Sequence, residues 1–344
     1  MVKEERTMLN KEFSRRDFLK GSTAVIGAVA GTAVLGSVDA QAAAAPCSCV
    51  AEARWADGAN ADPLQRELRE IAVDFTNSPV NDMGFDRPER IWREPLFGVA
   101  SGADPLWDFY KEYAVGEHHH TPREAFLLAH PRERAVRPEE LSVFVWALPH
   151  THATNNDNRN EDFLPSARWA ISRWTGELNV NVEMRRVLVS ALQDRGIQAC
   201  APYLLPEYSG AVMTERWANT STFSERHAAY AAGLGTFSLS DGLITRAGKS
   251  VRFGSVVVRA WMKPTPRPYT DPYEYCLFFQ DGSCAMCVNR CPVDSISILG
   301  RNKAPCNAHQ VEKSIPHITE MLGFENRWGC GICQTLVPCE FRIP

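Results

Sequence analysis

Cysteine is almost absent from the middle of this 344-residue chain: between Cys49 and Cys276 only Cys200 occurs. That gap excludes a disulfide framework spread along the chain, of the kind that staples small secreted domains. An excess of one charge is missing too. Lys and Arg number 37 against 41 Asp and Glu, a net charge of −4, so nothing favours a nucleic acid as partner. Long apolar runs are also scarce. The 18-residue stretch Gly21–Val38 is uncharged and rich in glycine, alanine and valine, which makes it borderline for a membrane span. At this length, with 44% hydrophobic residues, an ordinary globular protein of two domains is expected.

Ser14-Arg15-Arg16-Asp17-Phe18-Leu19-Lys20 precedes that run, and Ala40-Gln41-Ala42 follows it as a small-residue cleavage site. This is the layout of a secretory signal, and the adjacent arginines make it resemble a twin-arginine (Tat) signal over residues 1–42. The resemblance implies contact with the Tat translocase and export to the periplasm or the outer face of the cytoplasmic membrane. That route carries folded proteins, as a rule already loaded with a cofactor. Cys47 and Cys49 sit just beyond, and Pro46 argues against a lipoprotein anchor.

The mature chain reads as α/β from about residue 140. Leu64–Phe75 is an amphipathic helix, and Leu141–Leu148 a buried strand. Ser166–Arg195 carries apolar residues at helical spacing and stops at Gly196. Ile197–Leu205 is the next strand, so strand, helix and strand form a βαβ unit in a parallel or mixed sheet. Ser224 to Ala232 is a further helix and Val251–Ala260 a further strand. Pro264, Pro266, Pro268 and Pro272 then form a stiff linker, which divides a domain over 43–262 from one over 263–344.

Eight of the eleven cysteines lie in that last stretch: Cys276, Cys284, Cys287, Cys291, Cys306, Cys330, Cys333 and Cys339. Cys284-Ala-Met-Cys287-Val-Asn-Arg-Cys291-Pro292 resembles the bacterial iron–sulfur run C-x2-C-x2-C-x3-C-P, but its first position is occupied by Asp281. Cys-x-x-Cys sets two thiolates on one turn, whose backbone N–H groups can bond cluster sulfurs. The resemblance to two-cluster ferredoxins implies a ferredoxin-like domain in which Cys291 crosses to the other cluster. One 4Fe–4S cluster then takes Cys284, Cys287, Cys339 and either Asp281 or Cys276; thiolate is the softer match for iron. The second takes Cys291, Cys306, Cys330 and Cys333. C-x2-C pairs also serve zinc, the competing reading.

Ser224-Glu-Arg-His-Ala-Ala-Tyr-Ala-Ala-Gly-Leu-Gly235, with Ser240-Asp-Gly-Leu-Ile-Thr245 and Gly254-Ser-Val-Val, resembles a stretch of epoxyqueuosine reductases and reductive dehalogenases. Gly329-Cys-Gly-Ile-Cys-Gln-Thr-Leu-Val-Pro-Cys339 resembles their second cluster motif, with two extra residues and the proline before the last cysteine. The resemblance spans residues 140 to 344. It implies a nitroreductase-like α/β domain binding a corrinoid (a cobalamin-type cofactor), which the clusters feed with electrons to reduce a small organic substrate. Gly233, Gly235, Ser238, Ser240, Gly242 and Thr245 are the residues it would place at the corrinoid. A proton donor is also needed. Where epoxyqueuosine reductases carry an Asp, this chain has Asn219, which leaves Tyr208, Tyr230, Arg216 and His227 as candidates.

His118-His119-His120 reads as a solvated loop, and His150 and His152 as ordinary loop residues or the substrate side of a strand end. The expected function is an exported iron–sulfur oxidoreductase, drawing electrons from a redox partner protein or a membrane donor. The alternatives are a corrinoid-free electron carrier and an epoxyqueuosine-reductase-like enzyme, the latter opposed by export.

Overall fold

A computed structural model describes residues 62–214 and 219–344. The signal segment, Cys47, Cys49 and Arg216 lie outside the described residues. Helix α1 (Pro63–Asn77) starts where Asp62 Oδ1 accepts the Gln65 N–H at 2.9 Å, with proline in its first turn. It packs Leu68 and Ala72 inward.

The central sheet has strands β1 (Leu96–Ser101), β2 (Ser142–Pro149), β3 (Ala199–Cys200) and β6 (Val251–Val258), in the order β1-β2-β6-β3. Every residue of β2 is buried, because both faces of the sheet are covered. Phe144, Trp146 and Leu148 face one apolar core, Val143, Val145 and Ala147 the other. That is why the strand reads as a continuous apolar run rather than an alternating one. Each large aliphatic side chain buried in this way contributes about 1.5–3 kcal/mol.

The chain is an α/β protein, but its sheet corrects one expectation. All pairings in it are antiparallel, not parallel or mixed. β2 and β3 do run in the same direction, as the strand–helix–strand reading requires. β6 inserts between them, pairing antiparallel with both. A strand that arrives late in sequence can take a central place, and no local pattern announces it.

Helix α2 (Pro122–Ala129) precedes β2, and between β2 and β3 lie α3 (His152–Arg159), α4 (Ala167–Thr175) and α5 (Glu183–Gln193). The helix expected over 166–195 is interrupted by a π-helical stretch, Gly176–Val182, where Gly176 packs onto Ile91 and Trp92. Gly196 ends it at φ +71°, as a left-handed C-terminal residue. Only two residues of the expected strand 197–205 pair, since Pro202 has no N–H to donate and opens a 3-10 turn. Helix α6 (Glu225–Ala231) leads into the hairpin β4 (Gly235–Phe237) and β5 (Leu243–Thr245).

The proline segment is tied to the sheet edge: Thr265 N donates to Val99 O, and Val99 N to Thr265 Oγ1, each at 2.9 Å. Beyond it come α7 (Leu277–Gln280), α8 (Met286–Asn289), the hairpin β7 (Ile296–Ser297) and β8 (Gly300–Arg301), α9 (Lys303–His309) and α10 (Ile315–Leu322). Leu239 and Ile244 from the β4–β5 hairpin share an apolar cluster with Cys276, Cys287 and Cys339. Among the described residues no helix is long and apolar enough to cross a membrane.

Candidate iron–sulfur site

Cys276 stands just ahead of α7, Cys284 and Cys287 flank the start of α8, and Cys339 lies near the C-terminus. All four line one pocket, together with Lys249 and Ser238. Asp281 does not line it. It is exposed, and its Oδ1 accepts the Ser283 N–H at 2.9 Å across a turn in which Gly282 has φ +75°. The Asp-Gly pair builds a turn, and the carboxylate is spent on it.

The other four thiols gather beside this group. Arg301 Nη2 donates to Cys306 Sγ at 3.0 Å, Gln310 Nε2 to the same sulfur at 3.4 Å, and Ser295 N to Cys291 Sγ at 3.2 Å. Donors aimed at sulfur are what an anionic thiolate needs. Cys330 is pushed up to about 12, chiefly by burial, with Cys333, Cys306 and Cys291 adding to the rise. Burial likewise raises Cys339, against the pull of Lys249, with Cys276 and Cys284 as the thiols acting on it. Cys287 is pushed up to about 11, again by burial and against Lys249. The two sets are not electrically separate: Cys333 acts on Cys287 ahead of Cys339 and Cys276. All eight are free thiols. Among the described residues no three His, Cys, Asp or Glu side chains converge tightly enough to hold a single metal ion.

Gly331 shapes the second group. It has φ +69°, and a Cβ there would come within 1.8 Å of Trp169 Cε2. The Trp169 ring is fully buried and stacks on His150 at 4.4 Å. The loop from Cys330 to Cys333 thus lies directly on the indole.

The six residues singled out for a corrinoid are spent inside the protein. A Cβ on Gly233 would meet Pro266 O at 2.7 Å, and one on Gly235 would meet Ile244 O at 2.1 Å. Ser238 Oγ donates to Gly242 O at 2.9 Å, Ser240 Oγ accepts from Lys249 Nζ at 3.1 Å, and Thr245 Oγ1 donates to Gly248 O at 2.8 Å. Ser238, Ser240 and Thr245 are all buried. The hairpin they form is a wall of the first thiol pocket.

The proton-donor candidates are dispersed. Tyr230 is buried, its phenol pushed up to about 12 by burial, and its carbonyl accepts from Tyr269 Oη at 2.6 Å. His227 bonds Ser224 Oγ at 2.7 Å and packs edge-on to Tyr110; burial holds it well below the usual imidazole range. Tyr208 is half-buried against Tyr203, its phenol raised by burial and by Glu225. Close to Tyr208 lies a charged group that sequence reasoning passed over. Arg185, wholly buried, donates to Glu177 at 3.3 Å and to Glu225 at 3.1 Å. Burial raises the Glu225 pKa and Arg185 opposes the rise. The signal in sequence was a charge on the apolar side of a helix, legible only once that face is known.

The histidine readings need correction. His119 is not solvated: it is fully buried, and its Nε2 accepts the Ser224 N–H at 3.1 Å. His150 is fully buried as well, between Trp92 and Trp169, with Nδ1 3.1 Å from Ser250 O. His152 packs on Phe341. Burial lowers His119 to about 3 and puts His150 well below 6.5. Both folded values lie below the unfolded one, so this stability is fully present above about pH 6.5 and is lost as pH falls toward 3. Each histidine contributes a slope of about 1.4 kcal/mol per pH unit in that window. The urea midpoint is therefore expected to fall between pH 6.5 and 5, and to fall less steeply in His119→Gln; equal slopes in the two proteins would contradict this.

Residues 12–36 match the family described as TAT (twin-arginine translocation) pathway signal sequence. Among curated proteins none matches the chain by sequence. Among solved structures it is similar to a selenomethionine-labelled epoxyqueuosine reductase, with 17% identity and a TM-score of 0.42, over 81% of this chain and 68% of that one. It is similar to an epoxyqueuosine reductase from Bacillus subtilis, with 18% identity and a TM-score of 0.40, over 80% and 66%. It is also similar to the catabolic reductive dehalogenase NpRdhA in complex with 3-bromo-4-hydroxybenzoic acid, with 14% identity and a TM-score of 0.44, over 81% and 37%. The chain thus spans about two thirds of the length of the first two and little more than a third of the dehalogenase.

Proposed function

We propose that this is an exported oxidoreductase that moves electrons through two 4Fe–4S clusters. Cys276, Cys284, Cys287 and Cys339 would hold one, and Cys291, Cys306, Cys330 and Cys333 the other. The observation that carries the reading is that four free thiols, Cys276, Cys284, Cys287 and Cys339, line one pocket with the buried Lys249, while Cys291 and Cys333 of the other set pack against the same apolar cluster. Soft thiolate donors suit iron–sulfur clusters, and the Tat signal fits a protein folded around its cofactor before export.

The clusters, when bound, supply one-electron transfer. The chain's residues do the rest. Arg301, Gln310 and the Ser295 amide orient the Cys306 and Cys291 sulfurs. Lys249 sets a positive charge against the first group, and the surrounding apolar side chains Leu239, Ile244 and Val337 keep water from it. Hydrogen bonds, net charge and solvent exposure are the levers that set a cluster's potential.

The corrinoid expected from the resemblance is not supported by its residues. The backbone and hydroxyl groups assigned to it are already occupied within the β4–β5 hairpin, so no step is routed through it. The electron acceptor is then a partner protein or a small organic substrate met at the protein surface. Metal content of anaerobically purified protein, loaded in the presence of cobalamin, tests both points. About eight irons per chain are expected from two 4Fe–4S clusters, with no stoichiometric cobalt. Zinc without iron would overturn the reading; one cobalt per chain would restore the corrinoid.

A further inference from the structure

We infer that Lys249 is the shared counter-charge of the two clusters, a fixed cation between them that raises the reduction potential of both. The inference rests on the two-cluster reading above.

Lys249 is 2% exposed. Its Nζ donates to Ser240 Oγ at 3.1 Å, a neutral partner, and among the described residues no carboxylate pairs with it. An ammonium withdrawn from water with one hydroxyl for company is costly. Lys249 lines the pocket that holds Cys276, Cys284, Cys287 and Cys339. Cys291 and Cys333 of the second set pack against the apolar cluster formed by Cys276, Cys287 and Cys339. The lysine thus stands among the first set, with thiols of the second packed against that same cluster.

Its place is held by the main chain. Lys249 N donates to Cys339 O at 2.8 Å, and Ser250 N to Glu340 O at 3.4 Å. Gly248 has φ +88°, and a Cβ there would lie 2.1 Å from Glu340 O. Residues 248–250 therefore lie hard against the last cysteine, and the lysine has little room to swing away. Sequence reading missed it because a single lysine in the turn between two strands resembles any solvated loop cation.

A 4Fe–4S cluster with four thiolates is anionic, and its reduction adds one electron with no bond made or broken. A positive charge in a buried, water-poor setting favours the more negative state more strongly than it would in water. Removing that charge should make both clusters harder to reduce.

The test is a dithionite titration followed by electron paramagnetic resonance, on the iron-loaded full chain and on three variants. Lys249→Gln removes the charge and keeps a group that can reach Ser240. Ser240→Asp neutralises the lysine without touching it. Lys249→Arg keeps the charge. In Lys249→Gln and Ser240→Asp, the ratio of reduced to oxidised form of both clusters at a fixed applied potential is expected to drop at least tenfold, about 59 mV for a one-electron couple. Lys249→Arg should stay close to wild type. Unmoved potentials in a Lys249→Gln protein with full iron would overturn the inference, as would a shift confined to one cluster. Iron lost in Lys249→Gln and regained in Lys249→Arg supports the charge; iron lost in both counts against it. Wild-type protein with well under eight irons would instead remove the two-cluster reading itself.

Discussion

Replacing Cys276 by Ser should lower the iron content from about eight to about four per chain, the stock of one 4Fe–4S cluster, while Asp281→Ala should leave it unchanged. The two residues compete for one role by sequence, since Asp281 occupies the position where the usual motif has its first cysteine. The structure separates them. Cys276 is 8% exposed and shares the pocket with Cys284, Cys287 and Cys339. Asp281 is exposed and already bonded to the Ser283 amide. Serine keeps the size of cysteine but offers a hard oxygen in place of a soft sulfur. Its loss should empty the first cluster and leave the second, because Cys291, Cys306, Cys330 and Cys333 are untouched. Iron analysis with sulfide determination reads the result. Equal iron in Cys276→Ser and wild type, with a loss in Asp281→Ala, would reverse the assignment.

Gly331→Ala should cost the second cluster and several kcal/mol of stability. Two penalties fall on one methyl group. The backbone at φ +69° is unfavourable for a residue with a side chain, at about 1 kcal/mol. The methyl would also intrude on the Trp169 indole, which cannot retreat because His150 stacks on it from within the core. Overpacking of this kind costs about 1–3 kcal/mol. Either the loop lifts and draws Cys330 and Cys333 away from Cys291 and Cys306, or the ring moves and disturbs the core. Expected results are about four irons per chain and a lower melting temperature. Trp169→Ala in the same background should recover iron by opening room for the methyl. Full iron and unchanged melting in Gly331→Ala alone would show that the loop does not rest on the indole as described.

Sequence alone determined much of this protein. The Tat-type leader, the helix over 63–77, the buried strand over 142–149 and the stop at Gly196 are all local signals, set by nearest-neighbour chemistry and periodicity. The short Cys-x-x-Cys spacings also marked the C-terminal segment as the place to look for a metal centre. Tertiary structure decided what depends on residues far apart in the chain. The insertion of β6 between β2 and β3 turned an expected parallel or mixed sheet into an antiparallel one. Only the fold showed that Cys276 lines the pocket with Cys284, Cys287 and Cys339 while Asp281 stays exposed on a tight turn. No local pattern showed that the glycines and serines near α6 bond within their own hairpin, or that Cys339 folds back against Lys249. The physical reason is common to these cases. A residue's type fixes which interactions it can make, but burial and the partner within reach are set by chain segments that meet only in the folded state.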